Sequence, residues 1–358
     1  MGDGLQIGGA PLVTLRADRP SESIGFVEAQ VLPGRGMMLL QAKLRLPSGE
    51  AVDAIVAPEP QQAARKLDGG PDDFAGNAAF SFGGAVLAPY ANRIRGRPLD
   101  ASREIETEVA GDKVRLPRNW GGKAAGAEQY AMHGLILDAA VTWRQDAPEH
   151  VSAWLDAGDF GGRWPGRTRL EFEWRLGGGA LALRVRAQNV GDKPVPIGIG
   201  WHPYFRLPSG RRAQARLRLA AASRVLVDNY DEVLPTGAVE AVSGTAYDFS
   251  VDGGRPLGEQ YLDDCFTDLR RQDGQSVCEV IDPAAGVGLR ITSSSPRVRA
   301  FQVYAPPEQA FVVVEPQFNL ADPFGPEWAG RETGMVMVPP GGSASYDAKV
   351  TAFTLGNP

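Results

Sequence analysis

Cysteine and histidine are both scarce in this sequence: Cys265 and Cys278, then His133, His150 and His202, are all there is in 358 residues. Two cysteines cannot build a disulfide framework and do not have zinc-site spacing, so both are expected as reduced thiols of a cytosolic protein. A single bridge between them stays open for an exported chain. No HExxH pattern or Cys/His cluster is present, and no metal site is expected. No run of eighteen apolar residues occurs, so no membrane-spanning helix is expected, and the first fifteen residues lack the charged start and apolar stretch of a signal peptide. A basic surplus is missing too: 37 Lys and Arg against 43 Asp and Glu leave a net charge of −6, which argues against a nucleic-acid partner. Missing as well are a Gly-x-Ser-x-Gly elbow, a glycine-rich loop after a strand and any βαβ series, so serine-hydrolase and nucleotide-binding folds are not expected.

What is present is a globular composition, 43% hydrophobic and 22% charged, with 44 Gly and 28 Pro. Such a chain buries a large core, and its turn residues predict many short strands. The clearest hairpin is Thr168–Val190. Leu170, Phe172, Trp174 and Leu176 alternate with Glu171, Glu173 and Arg175, Gly177-Gly178-Gly179 turns, and Leu181, Leu183 and Val185 alternate with polar partners. One apolar and one charged face suit an antiparallel sheet wet on one side. A second hairpin is predicted at Ser276–Ile281 and Val287–Thr292, and further strands at Met38–Leu46, 213–219, 298–304, 310–315 and 345–355. One short helix is predicted over Pro58–Leu67, stopped by Asp68-Gly69-Gly70. The arginines at 211, 212, 216 and 218 are expected on a solvated strand face. With no repeat or linker, the expectation is an all-β protein: one domain over 1–358, a large antiparallel β-sandwich with few short helices.

Chemistry-bearing candidates are few. His202 lies in Ile197-Gly198-Ile199-Gly200-Trp201-His202-Pro203-Tyr204-Phe205. Gly198 and Gly200 clear one face for a close approach. Aromatic rings beside an imidazole suit a sugar site, where rings stack on C–H faces and the imidazole moves a proton; a core histidine bonded to a backbone carbonyl is the equal alternative. Glu315 follows Phe311-Val312-Val313-Val314 and precedes Pro316, so it is either a strand-end carboxylate facing water or a partly buried general base. Arg93, beside Tyr90 and Asn92, either faces water at an edge or offers its hydrogen-bond fork to hydroxyls. His133, before Gly134 and ahead of Trp143, and the pair Asp263-Asp264 have loop readings that spacing alone does not remove. His150 is expected in a surface turn without a role.

Taken together, four stretches resemble the aldose 1-epimerase (galactose mutarotase) family: Tyr90-Ala91-Asn92-Arg93-Ile94, His133-Gly134 with Trp143, His202-Pro203-Tyr204-Phe205, and Val314-Glu315-Pro316-Gln317. They come in the family's order over roughly residues 80–320. The resemblance implies a galactose mutarotase-like sandwich and interconversion of α and β anomers of a free monosaccharide, with His202 as general acid and Glu315 as general base. It implies that Arg93, His133, Asp263 and the neighbouring Asn92 hold sugar oxygens, that no cofactor takes part, and that Asp264 makes the register of the acidic pair ambiguous. The stretch Arg103–Gln129 matches nothing in the family pattern. A mutarotase for phosphorylated hexoses and a non-catalytic sugar-binding or sensing protein on the same fold are the alternatives; a hydrolase would need a second positioned carboxylate. The sequence fixes neither the preferred aldose nor the oligomeric state.

Overall fold

Alternating side chains in long extended runs produce two large antiparallel sheets. They are seen in a computed structural model that describes residues 5–18, 24–100, 102–122, 127 and 129–356. The first sheet has nine strands, in the order Thr142–Ala147, His150–Gly158, Thr168–Gly177, Ala180–Asn189, Ser343–Thr354, Val287–Ser293, Ser276–Asp282, Arg216–Leu219 and Arg255–Pro256. The second has eleven. Its centre runs Leu262–Leu269, Ala300–Ala305, Phe311–Gln317, Gly200–Arg206, Gly84–Leu87 and Met38–Arg45.

Both predicted hairpins form. Leu176 faces Leu181 across the turn at Gly178 and Gly179, which take the positive φ that glycine tolerates. Ser276–Asp282 pairs with Val287–Ser293 across a single 3-10 turn. The predicted helix forms over Pro60–Lys66.

The sheets pack face to face through their apolar sides, the arrangement of a β-sandwich. Trp174 of the nine-stranded sheet meets Trp201 of the other edge to face at 5.5 Å, and its indole N–H donates to the Met37 carbonyl at 2.9 Å. Tyr346 donates from its hydroxyl across the same seam to the Pro316 carbonyl at 2.9 Å. The two cysteines are free and buried, one in each large sheet.

Two expectations are corrected. The strand at 213–219 begins only at Arg216, after a 3-10 turn over Arg212–Gln214. Arg212 does not sit on a solvated face: it is buried, and its guanidinium donates to the carbonyls of Leu257 at 3.3 Å, Gly258, Gln260 at 2.5 Å and Ala305 at 2.5 Å. A charge can be buried there because several fixed carbonyl dipoles surround it. The stretch after Arg103 supplies the hairpin Glu104–Val109 and Asp112–Pro117, then the short strands Trp120–Gly121 and Gln129–Met132.

Candidate active site

Strand alternation sorts the larger sheet into two faces. Leu262, Phe301, Val314 and Trp201 point into the core. Their neighbours Asp263, Gln302, Glu315 and His202 point outward and line a cavity of about 450 Å³. Register brings the two protonatable groups together. Gln302 lies opposite Glu315, and the pairs Gly200–Gln317 and Tyr204–Val313 put position 202 across from position 315. Between those pairs the ladder is interrupted, where Pro203 and Pro316 have no N–H to give. Glu315 therefore stands inside a strand that continues to Gln317, not at its end.

His202 Nε2 and Glu315 Oε1 are 3.4 Å apart, and both side chains are almost fully buried. Asp263 accepts from Gln302 Nε2 at 2.6 Å, and Gln302 accepts from Asn92 Nδ2 at 3.3 Å. Asn92 and His133 both adopt left-handed backbone, at φ 61° and 63°, and the His133 N–H donates to the Asn92 carbonyl at 2.8 Å. Each such conformation costs about 1–3 kcal/mol and persists only where the surroundings enforce it. The result is that Arg93 and His133 enter the same cavity. Arg93 Nη1 donates to the Val233 carbonyl at 2.8 Å, and the imidazoles of His133 and His202 stand edge to face at 4.7 Å.

Burial dominates the electrostatics. It lowers His202 to about 4. It also holds His133 well below the usual imidazole value, with His202 and Arg93 adding to the effect. It raises Glu315 well above the usual carboxylate range; the charge of Asp263 adds to this and Arg93 opposes it. Asp263 rises to about 6 by burial, against Arg93 and the Gln302 hydrogen bond. Burial thus works against charge on both His202 and Glu315, and an imidazole and a carboxyl 3.4 Å apart can give a proton at one atom and take one at another.

The six residues singled out in the sequence, Asn92, Arg93, His133, His202, Asp263 and Glu315, all line this cavity. Asp264 does not: it accepts from Arg224 Nη1 at 2.7 Å and from the Tyr230 hydroxyl. Trp143 and His150 lie in the nine-stranded sheet, His150 within 3.3 Å of Asp146. The gap left by Gly198 is filled by the protein itself, since a side chain at 198 would strike Asn319.

Sequence reasoning missed the aromatic wall. From His202, ring contacts run through His133 and Phe80 to Trp120, at 4.7, 5.1 and 5.4 Å between centroids. In the other direction they run through Tyr204, Phe311, Tyr304 and Tyr261 to Tyr230, at 5.0 to 6.2 Å. Tyr204 and Phe205 stood in the quoted motif, and period two would have marked Tyr204 as the outward one; Trp120 carried no signal. A larger hollow of about 790 Å³ lies over the nine-stranded sheet. It is floored by cross-strand pairs such as Arg186–Glu171 and holds no buried histidine or carboxylate.

Among the described residues, the donor atoms of His133, His202 and Glu315 lie within 4.8 Å of one another, close enough for a metal ion as well as for proton exchange. Among the described residues, no helix is long and apolar enough to cross a membrane.

A family model described as aldose 1-epimerase matches residues 48–348. Solved structures share the fold. An aldose epimerase homologue from C. elegans superposes with a TM-score of 0.72 at 18% identity, covering 96% of this chain and 99% of that one. A galactose mutarotase-like protein from Clostridium acetobutylicum gives 0.72 at 17%, covering 92% and 93%. A galactose 1-epimerase from Lactobacillus acidophilus NCFM gives 0.64 at 19%, covering 96% and 99%. No curated protein sequence matches the chain.

Proposed function

The chain belongs to the aldose 1-epimerase family, and from that premise we propose that it interconverts the α and β anomers of a free aldose by acid/base ring opening and reclosure. The observation that carries this reading is the 3.4 Å approach of His202 and Glu315 on the floor of an open cavity.

The chemistry follows from the hemiacetal. Glu315, ionised, takes the proton of the anomeric hydroxyl. As the C1–O1 bond becomes a carbonyl, the bond from C1 to the ring oxygen breaks, and His202, protonated, gives that oxygen its proton. The open aldehyde turns about C1–C2, and closure on the other face reverses both transfers. The working state is an imidazolium beside ionised Glu315; burial opposes both charges, and the Arg93 charge favours the ionised carboxylate. Asn92, Arg93, His133 and Asp263 supply donors and an acceptor for the remaining hydroxyls. The two buried free thiols suit a reducing compartment such as the cytosol.

A phosphorylated hexose suits the cavity less well. Arg93 is the one Arg or Lys among its described lining residues, whereas Asp231, Asp263 and Glu315 set three carboxyl groups there.

Polarimetry of freshly dissolved α-glucose and α-galactose tests the reading, with glucose 6-phosphate as comparison. Glu315→Gln and His202→Asn are each expected to slow anomer exchange by about 10²–10⁴ while the fold persists. Wild-type rates in both variants would end the assignment. Sugar binding by calorimetry without faster exchange in the parent protein would favour a binding role instead.

A further inference from the structure

A buried polar side chain normally finds partners inside the fold. Asp73 does so: it accepts from Arg35 Nη2 at 2.8 Å and from the N–H groups of Gly69 and Ala78 at 2.9 and 3.2 Å. Around His202 the pattern breaks. His133, His202 and Glu315 are 5%, 6% and 2% exposed. Nδ1 of each imidazole and Oε2 of the carboxyl are buried with no hydrogen-bond partner in the protein, and all three side chains line one cavity. Unpaired buried polar atoms are costly, and gathered in one place they point to a water, an ion or a ligand that satisfies them.

Two imidazoles and one carboxylate are a donor set that suits zinc, with a fourth position left for water. Nitrogen and oxygen donors bonded to one tetrahedral zinc stand about 3.4 Å from each other. His202 Nε2 and Glu315 Oε1 already have that separation, 3.4 Å. The sheet ladder fixes it, because the two residues sit across from each other on paired strands. A donor atom of His133 lies within 4.8 Å of both, so a swing of that ring by about 1 Å brings the third donor to bonding distance. Among the described lining residues Arg93 opposes a cation, and the carboxyls of Asp231, Asp263 and Glu315 favour one. No local spacing marks this set in the sequence, because its members come from three separate segments.

We propose that His133, His202 and Glu315 form a site for a zinc-class divalent ion, and that its occupation shuts anomer exchange off. The second half rests on the anomer-exchange reading above. A bound ion takes the lone pairs of His202 and Glu315 through which protons would move, and it lies where the anomeric centre of the sugar would sit. Ion and aldose therefore exclude each other. Magnesium and calcium prefer six or more oxygen donors, and a set with two imidazoles selects against them.

Calorimetric titration of the chelator-treated protein with zinc chloride tests the site, with magnesium chloride as the control. The expected result is one zinc per chain at about micromolar concentration, no heat with magnesium, and affinity weakened about tenfold or more in His133→Gln. His150→Gln should bind as the parent does, since His150, the third histidine, lies in the other sheet beside Asp146 and Glu173. In polarimetry, zinc should raise the apparent KM for α-glucose at unchanged kcat, and chelator should restore it. No binding at about 1 mM zinc, binding that survives His133→Gln, or binding lost in His150→Gln would overturn the proposal. Zinc that binds here and leaves exchange untouched, or speeds it, would overturn it as well. Should His133→Gln fail to fold, Glu315→Gln carries the same titration. If the metal-free protein exchanges no sugar, the anomer-exchange reading itself has failed, and cobalt(II) chloride decides the site alone. Intense visible bands of a four-coordinate ion that vanish in His133→Gln support it; the weak bands of an octahedral ion refute it.

Discussion

At the scale of single residues, Asp263 separates function from stability most cleanly. Its carboxyl titrates near 6 in the folded protein against 3.8 ordinarily. Between those values the native state holds more protons than the unfolded chain, so stability falls as pH rises through the window and the full cost is present above 6. Asp263→Asn is therefore expected to stabilise the fold by about 1–2 kcal/mol at pH 7.5 and by nothing below pH 3.8, in denaturant titrations at both values. The same substitution should change the pH profile of anomer exchange. In the parent protein, kcat/KM should fall on the acid side near 6 as Asp263 is neutralised. The variant should start from a lower plateau and lose that step; its retention would show that Asp263 does not bear on turnover. Residue types in context nominate His202 and Glu315, because a carboxylate or imidazole amid apolar strand residues demands an explanation, whereas Asp263 stands out only through the family resemblance. Which member of Asp263-Asp264 faces the cavity depends on the phase of the strand, and one residue of slip reverses it.

At the scale of elements, the site is a product of register and of one loop held in an unusual shape. Ala91 is clamped by Asn319, which accepts from its N–H at 3.0 Å and donates to its carbonyl at 2.8 Å. That clamp leads directly into left-handed Asn92 and Arg93. Asn319→Ala takes a partner from three backbone groups, the N–H and carbonyl of Ala91 and the carbonyl of Leu320, at about 2–3 kcal/mol, and frees Asn92 and Arg93 to relax. Gly198→Ala pushes on the same side chain from behind. Both substitutions, remote from the reacting atoms, are expected to raise KM for the aldose several-fold, and an unchanged KM in two folded variants would count against the clamp. The strands were legible because alternation and turn residues are local signals: Thr168–Gly177 and Ala180–Asn189 stand where the pattern puts them. The segment carrying Trp120 was not legible. Trp120–Gly121 is two residues long and takes its place by pairing with Gln129–Met132, which in turn pairs with the distant Arg93–Arg95.

At the scale of the whole molecule, the larger sheet divides its labour between faces. Trp201 points into the seam between the sheets while its neighbour His202 points into the cavity, so one strand serves both the core and the cavity. The seam was readable as a class of fold, since so many half-apolar strands in one chain need two layers to bury them. Which strands face each other across it was not, because Trp174 and Trp201 meet only once the sheets are assembled. This division predicts that stability and turnover come apart by face. Trp174→Ala removes a fully buried ring from the seam and the hydrogen bond to Met37, and is expected to cost about 3–5 kcal/mol in denaturant unfolding. The ladder bonds that set position 202 across from position 315 lie within the other sheet and do not involve Trp174. Anomer exchange at 25 °C should therefore stay within about threefold of the parent rate, provided the variant remains folded. Asn319→Ala, of lesser cost, should impair exchange more. If Trp174→Ala slowed turnover in proportion to its lost stability, the two faces would be energetically one unit, and the sheet could not be treated as a rigid floor on which His202 and Glu315 are set.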